Sequence, residues 1–316
     1  MTLWSRWVAL MSRTEHPLGL ALFRIAVGLV SLMTVVSPVW SGVVELIWTD
    51  RAHGGYRLIS KGPWLVEWLG GPSPEVTWGL LSVSIVSSVF LIAGVGGRVV
   101  AFICLWTTMG ITDMNGQAGG SYDELLTCAL FLVVLADSTR TLSVDCRIQT
   151  GEWTCSTGVP SWPRWLAILQ IVTVYWSTGA QKVSAFWTPA GGFSAIWYIL
   201  QQPSWQRADM AWVAPFYPVT QVMTATTWVW ELTSPLLLLA FWYRHTRDRP
   251  GRLRGFMNRV DWRLWFALFG VMTHIGVFLV MNVGPFTWVT LAFYVAFFHP
   301  DEWMGAARRL RDRFSA

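Results

Sequence analysis

The chain has 316 residues, of which 53% are hydrophobic and only 13% are charged, and its mean hydropathy is +0.44. A soluble globular domain carries about 25% charged residues, so this composition excludes a soluble protein and indicates an integral membrane protein. The net charge is +5. The basic residues follow the pattern of a membrane-topology signal and do not form a nucleic-acid-binding patch, so we expect no nucleic-acid partner. We predict a single transmembrane domain over residues 1–316 and no soluble domain.

Several stretches are apolar enough to be membrane-spanning helices, which need about 20 residues. We predict an all-α, polytopic membrane protein with about eight such helices, at 17–38, 75–95, 97–114, 123–137, 164–182, 222–242, 263–281 and 284–299. The first has no small-residue cleavage site, so we interpret it as a retained span and not as a signal peptide. The aromatic, Pro-interrupted stretch 183–221 is predicted to form short interfacial helices at the outer leaflet.

The arginines predict the orientation of these helices, since cytoplasmic loops carry an excess of Lys and Arg. Residues 243–263 contain seven arginines and the C-terminal tail contains four more. If both are cytoplasmic, the eight-helix arrangement places 17 basic residues inside and four outside. We therefore predict a multi-pass protein of the bacterial inner membrane with both termini in the cytoplasm, surrounded by membrane lipids.

One lysine is unusual in its position. The chain has only two lysines among its 23 basic residues, Lys61 and Lys182, and Lys182 ends an apolar helix in "YWSTGAQKVSAFW". A lysine at a helix end can extend its alkyl stem toward the lipid headgroups. Alternatively, a partly desolvated amine can act as a base near neutral pH, which an arginine cannot do because it stays protonated. Lys182 is therefore a candidate catalytic base.

Three further ionisable residues lie within predicted spans, where such groups are functional candidates. His274 is either a donor between helices or a proton shuttle in catalysis. Glu231 either pairs with Arg24 in a structural salt bridge or orients Lys182 or His274. Pro235, four residues after Glu231, is expected to loosen that helix.

The turn "NGQAGGSYDE" contains Asn115, Tyr122 and Asp123 and is predicted to face the outer side. It is either a plain glycine-rich turn or a lid that presents backbone N–H groups and Asp123 to a cavity. The four cysteines do not form a metal-ligand pattern, and we expect no metal site.

The order of these motifs resembles the HTTM family, the membrane domain related to the vitamin K-dependent gamma-glutamyl carboxylase. The motifs are "LALFRIAVGL" in the first span, the glycine-rich turn, "TLSVD" at 141–145, "GAQKV" followed by Trp187, Glu231 followed by "SPLLLL", and His274 followed by "NVGPFTW", which begins at Asn282. The resemblance covers residues 17–300.

This resemblance implies a chemistry. In the carboxylase a lysine deprotonates reduced vitamin K, the product reacts with oxygen, and the resulting strong base takes a proton from glutamate before carbon dioxide adds. Lys182 matches the second lysine of the family motif, whereas Gln181 stands at the first. The carboxylase has an Asn-His pair where this chain has Asn115 and Gly116, and we expect no propeptide-directed carboxylation without the carboxylase's large extramembrane domain.

Two functions follow as hypotheses. The first is a quinol-dependent enzyme of carboxylase (lyase) or epoxidase type, in which Lys182 and His274 are catalytic and the cofactor is reduced vitamin K or menaquinol. A lipophilic quinone would be bound by the residues Asn115, Asp123, Tyr122, Glu231, Trp187 and Asn282. The alternative is a non-catalytic membrane factor for the maturation, export or immunity of a secreted peptide. A transporter is a weaker hypothesis, because no inverted repeat is visible.

Overall fold

The computed structural model describes residues 2–59 and 61–314, and in this part of the chain nearly all regular structure is helical. The all-α prediction is confirmed. The helices are α1 (Leu3–Met11), α2 (Leu18–Trp40), α3 (Val44–Trp48), α4 (Trp64–Trp68), α5 (Pro74–Ala93), α6 (Gly97–Thr112), α7 (Ser121–Leu135), α8 (Val144–Thr150), α9 (Trp162–Gln181), α10 (Ala195–Leu200), α11 (Tyr217–Leu232), α12 (Leu236–His245), α13 (Arg252–Val260), α14 (Trp262–Val280), α15 (Phe286–Tyr294) and α16 (Pro300–Phe314). Two short strands, β1 (Thr14–Glu15) and β2 (Val159–Pro160), pair antiparallel.

Three stretches of the described residues are long and apolar enough to cross a membrane, namely α2, α5 and Arg252–Val280. The chain is therefore a membrane protein. Shorter apolar helices are α6 and Phe286–Phe297. The stretch Arg252–Val280 contains two helices, because Asp261 between α13 and α14 has a φ of 44°. Its apolar part is α14.

The predicted helix at 222–242 is divided in the structure. α11 ends at Leu232, and α12 begins at Leu236 after Pro235. A proline lacks the N–H that would continue the helical hydrogen bonding, so the expected loosening at Pro235 is confirmed. The buried Ser234 hydroxyl donates to the carbonyl of Val172 at 3.0 Å and fixes the break against α9. Glu231 thus lies in the last turn of α11.

The predicted interfacial stretch 183–221 also consists of short elements. It contains the 3-10 turns Ala185–Trp187, Pro189–Gly191 and Ala211–Phe216, together with the six-residue helix α10. Short helices are what the prolines and the aromatic composition predicted.

The chain divides into two compact units, each of which we describe by itself. The first extends to Ala167 and resumes at Gly284. In it α2 packs against α5, α5 against α6, and α6 against α7. Buried hydroxyl groups join α2, α5 and α6. The side-chain oxygens of Ser31 and Ser88 are 2.9 Å apart, and those of Ser84 and Thr108 are 2.8 Å apart. Such interhelical hydrogen bonds stabilise helix packing in a membrane, because lipid tails are as apolar as the helices and the hydrophobic effect does not drive helices together there.

Two buried arginines also belong to the first unit. Arg24 is fully buried and donates to the carbonyls of Ser138 (2.8 Å) and Leu142 (2.6 Å), so the interpretation that pairs Glu231 with Arg24 is wrong. The Glu231 carboxylate has a different partner, described below. Arg164 is nearly buried and forms an ion pair with Glu15 at 2.9 Å, beside the paired strands.

The second unit is Ile168–Val283. Here α10 packs against α11, and α12 contacts both α13 and α14. This unit contains the end of α9 with Lys182, and also Glu231 and His274.

Candidate functional site

The end of α9 is built for a close approach to α11. A β-carbon added at Gly179 would lie 2.9 Å from Cβ of Glu231 and 3.0 Å from the backbone nitrogen of Leu232, so only glycine fits there. The indole N–H of Trp228 donates to the carbonyl of Gly179 at 3.1 Å. The last turn of α9 therefore lies directly against the last turns of α11, and this contact positions the residue that follows, Lys182.

Lys182 and Glu231 form an ion pair in the second unit. The lysine Nζ donates to Oε2 of Glu231 at 2.5 Å, and the two side chains are only 18% and 11% exposed. Nζ also lies 4.8 Å from the centre of the Trp187 ring, a cation–π contact. Three of the predicted site residues thus meet at one point. The Glu231 carboxylate therefore contacts Lys182, as the second interpretation of Glu231 requires.

His274 belongs to a separate aromatic cluster in the same unit. Its Nε2 is 2.8 Å from the hydroxyl of Tyr175, and the residue is buried. The Tyr175 ring contacts Trp230 at a centroid distance of 4.5 Å, and Trp230 stacks on Phe266 at 4.7 Å. Because Trp230 precedes Glu231 in α11, the two clusters are adjacent along that helix. His274 therefore joins helices α9 and α14 through a hydrogen bond to Tyr175.

The indole nitrogen of Trp230 is buried and has no hydrogen-bond partner among the described residues. A buried donor without a partner raises the free energy of the folded state by about 1–3 kcal/mol. The indole N–H of Trp230 is thus a buried donor within the aromatic cluster of His274.

Asn282 lies apart from both clusters. It is exposed, and its backbone N–H donates to the carbonyl of Trp205 at 2.8 Å. Residues Gln206 and Met281 pair in a short antiparallel bridge beside it. In the structure, Asn282 holds the stretch after α10 against the end of α14.

Asn115 lies in the first unit and is buried. Its amide nitrogen donates to the carbonyl of Ile47 (2.8 Å) and to the hydroxyl of Tyr56 (3.2 Å). Its oxygen accepts from the Arg57 side chain (3.3 Å) and from the backbone N–H of Gln117 (3.1 Å). These bonds use both donors and both lone pairs of the amide. Asn115 therefore fastens the turn to the loop before α4.

Asp50 organises the same loop. Its two carboxylate oxygens accept the backbone N–H groups of Ala52 (2.8 Å) and Ile59 (2.6 Å). These hydrogen bonds, first that of Ala52, hold the pKa of the Asp50 carboxyl below its usual value. The Asp50 carboxylate therefore fixes this loop by charge-assisted hydrogen bonds.

Tyr122 and Asp123 lie in the first turn of α7. Asp123 accepts the backbone N–H of Gly120 at 2.9 Å and so caps the helix. The Tyr122 ring packs on Gly284, where an added β-carbon would lie 3.0 Å from ring atoms. Both residues thus have structural contacts in the first unit, next to Asn115 in the chain.

Sequence reasoning did not single out Tyr175 and Gly179. Tyr175, Gly179 and Lys182 follow one another at intervals of four and three, which places them on one face of a helix. That spacing was readable in "YWSTGAQK", and it identifies the face of α9 that contacts α11. The partner of Lys182 on the facing helix, 49 residues later, was not readable from spacing.

Two hollows among the described residues lie away from this site. A small one of about 10 Å³ is lined by Leu20, Ala136 and Ala167 in the first unit. A shallow hollow of about 340 Å³ runs along α2 between Met33 and Ser41. Among the described residues, no group of three or more His, Cys, Asp and Glu side chains could hold a metal ion.

No curated protein and no solved structure matches the chain. The family model described as HTTM domain matches residues 12–247, which is most of the chain and includes Lys182 and Glu231. The chain belongs to the HTTM family.

Proposed function

We propose that this membrane protein acts on a lipophilic hydroquinone, either reduced vitamin K or menaquinol, with Lys182 as the base. The observation that supports the proposal is the ion pair of Lys182 with Glu231 at 2.5 Å, largely shielded from solvent. A charged pair inside a membrane domain is costly unless it has a role or excellent geometry, because both ions lose their hydration. In a chain with only two lysines, this one is paired and partly buried beside a tryptophan.

The residues around Lys182 fit such a ligand. A hydroquinone has a flat ring with two hydroxyl groups, so its binding requires aromatic surface together with groups that accept or donate hydrogen bonds. Trp187 provides the aromatic surface, and Lys182 and Glu231 provide the polar atoms. When bound, the hydroquinone would supply the electrons for a reaction with oxygen, as in the related carboxylase.

The ion pair also gives a route for the proton. Lys182 can act as a base only after its ammonium loses a proton, and the hydrogen bond leads from Nζ to Oε2 of Glu231. With that proton on Glu231, the neutral amine accepts a proton from a hydroxyl group held beside it. The ammonium that forms stays next to the oxygen that lost the proton and stabilises its charge.

The experiment uses the full-length protein purified in detergent. Bound lipid is extracted and examined for a quinone by mass spectrometry, and oxygen uptake is measured with reduced vitamin K or menaquinol. We expect Lys182→Ala and Lys182→Arg to abolish oxygen uptake, since arginine does not release its proton. Lys61→Arg changes the other lysine and is the matched control. If Lys182→Arg retains full oxygen uptake, Lys182 is not the base.

We also propose the eight-helix topology in the bacterial inner membrane with both termini in the cytoplasm. The support is the distribution of basic residues, 17 on one predicted side and four on the other. Cys155 tests it, because the loop that carries this thiol is predicted to be cytoplasmic. A membrane-impermeant maleimide should label Cys155 in inside-out vesicles and not in intact cells, and the reverse result would invert the topology.

A second candidate function is a non-catalytic factor for the maturation, export or immunity of a secreted peptide. Exposed apolar side chains in the stretch 183–221 favour it, since large exposed apolar surface marks interaction sites. They include Val183, Phe186, Tyr198, Trp205, Trp212 and Phe216. A co-purified small peptide without a quinone, together with unchanged function in Lys182→Arg, would support this candidate over the first.

A further inference from the structure

The short helix α13 has features that neither the site nor the proposed reaction explains. It is nine residues long, and none of its residues is buried. At 1.5 Å per residue it extends only about 14 Å, which is too short to cross a bilayer. Asp261, with φ of 44°, separates it from the apolar helix α14. The protein therefore holds α13 as a separate element between α12 and α14.

The sequence of α13 divides its surface into three strips. Leu253, Phe256, Met257 and Val260 follow the spacing i, i+3, i+4, i+7 and form one apolar strip. The side chains of Leu253 and Phe256 are 56% and 60% exposed. An apolar strip of this size on a helix that lies outside the protein core needs a covering partner.

One border of the apolar strip is fastened to the protein. Arg254 donates to the hydroxyl of Thr246 at 3.1 Å and to the carbonyl of Pro250 at 2.8 Å. Asn258 donates to the carbonyl of Tyr243 at 3.1 Å, at the end of α12. These bonds fix the rotation of α13 about its own axis and thereby determine which face points away from α12.

The other border carries positive charge. Arg252 and Arg259 are seven residues apart, so they lie on the same side of the helix, about 10 Å from each other along the axis. Both are exposed, as are Arg247 and Arg249 in the preceding turn. Within residues 2–59 and 61–314, none of these four arginines forms an ion pair with a carboxylate. An apolar strip bordered by free arginines is the pattern of a helix that lies in the plane of a membrane surface.

We propose that α13 is a binding site for acidic phospholipid. The apolar strip would enter the boundary between headgroups and acyl chains, while Arg252, Arg259 and the arginines of the preceding turn contact lipid phosphates. The charges point to an acidic lipid in particular, because each basic residue near an anionic membrane surface adds to its attraction. This inference requires only that the chain is a membrane protein and does not depend on the reaction at Lys182.

The test reconstitutes the full-length protein in nanodiscs of phosphatidylcholine with increasing phosphatidylglycerol. Native mass spectrometry counts the retained phosphatidylglycerol, and hydrogen exchange reports the protection of residues 252–260. We expect phosphatidylglycerol to protect this segment, and Arg252→Gln with Arg259→Gln to weaken its retention about 30-fold. Leu253→Ser with Phe256→Ser should remove the protection in phosphatidylcholine as well.

The matched control removes two exposed cations from another loop, Arg51→Gln with Lys61→Gln. Each variant must first show the same thermal unfolding as the wild type, so that a folding defect is not counted as lost lipid binding. The proposal is overturned if the α13 variant retains phosphatidylglycerol like the wild type, or if the control loses it equally. Displacement of the lipid by an RNA oligonucleotide that protects 252–260 more strongly would also overturn it, in favour of a nucleic-acid surface.

Discussion

Gly179 gives the sharpest test of the contact that positions Lys182. In Gly179→Ala the new β-carbon would lie 2.9 Å from Cβ of Glu231, whereas carbon atoms at an optimal distance are about 3.5–4.0 Å apart. The last turns of α9 and α11 must therefore separate by roughly 0.5–1 Å. The neighbouring atoms are backbone or Cβ atoms, which cannot rotate away. Overpacking of this kind lowers the free energy of unfolding by about 1–3 kcal/mol.

The separation also lengthens the 2.5 Å hydrogen bond from Lys182 to Glu231 to roughly 3.0–3.5 Å, which weakens it and, at the upper end, exceeds the usual N–H···O distance. The chain offers a direct readout, since Lys61 and Lys182 are its only lysines. We expect an amine-specific acylating reagent to modify Lys182 faster in Gly179→Ala, relative to Lys61, as measured by mass spectrometry. Stability is measured by reversible unfolding in mixed micelles.

Gly276 in α14 is the matched control. A β-carbon there would meet nothing within 4 Å. Gly276→Ala should therefore be neutral or stabilise the protein by up to about 1 kcal/mol, because alanine favours helix more than glycine. Equal stability and equal acylation ratios in the two alanine variants would refute the close contact between α9 and α11.

Three other expectations follow from the described contacts. Glu231→Ala should destabilise the protein by about 3–5 kcal/mol, because it leaves the Lys182 charge without its partner, and adding Lys182→Met should restore much of this loss. Arg24→Lys should lower the melting temperature strongly, since an ammonium cannot reach both carbonyls that the guanidinium fork contacts. The pKa of the Cys155 thiol is lowered, first by hydrogen bonds from Thr157, so alkylation should begin at a lower pH than for a free thiol.

Each of these has its own control. Arg98→Lys changes an exposed arginine and should leave the melting temperature unchanged; a similar loss there would mean that Arg24 has no special role. Thr157→Ala should raise the Cys155 pKa and shift the pH profile of alkylation upward, and an unshifted profile would refute the cause. Cys146 is buried and should stay unmodified in the same experiment. For Glu231→Ala, the control is the double variant Lys182→Met with Glu231→Ala. If the double variant is no more stable than the single variant, the loss of stability does not come from an unpaired Lys182 charge.

Helix boundaries are easiest to predict where the residues that start and end the helix are close to it in the chain. Ser73 followed by Pro74 starts α5, with the Ser73 hydroxyl accepting from the N–H of Val76, and Gly94 in the left-handed region ends it. Such capping patterns are complete within a few residues. The apolar composition had predicted this span, 75–95, to within two residues of the observed Pro74–Ala93.

The partners of buried charges were not predictable in this way. The sequence offered Arg24 as a partner for Glu231, but the Arg24 guanidinium donates to backbone carbonyls instead. Every residue has a backbone carbonyl, so the sequence does not indicate which carbonyls a buried arginine will contact. Lys182 and Glu231 were both candidates, yet their contact depends on the approach of two helices at Gly179. The separate helix α13 was likewise hidden, because its arginines were interpreted only as a topology signal.

The ion pair of Glu15 with Arg164 has a practical consequence for crystallisation. α1 has no buried residues, and the matched family region begins at residue 12, so the first eleven residues are candidates for trimming. Removal of Thr14 and Glu15 is a different matter, because it would delete strand β1 and leave the nearly buried Arg164 without its carboxylate. A shortened protein for crystallisation should therefore begin between Ser12 and Thr14, with any purification tag attached at its N-terminus.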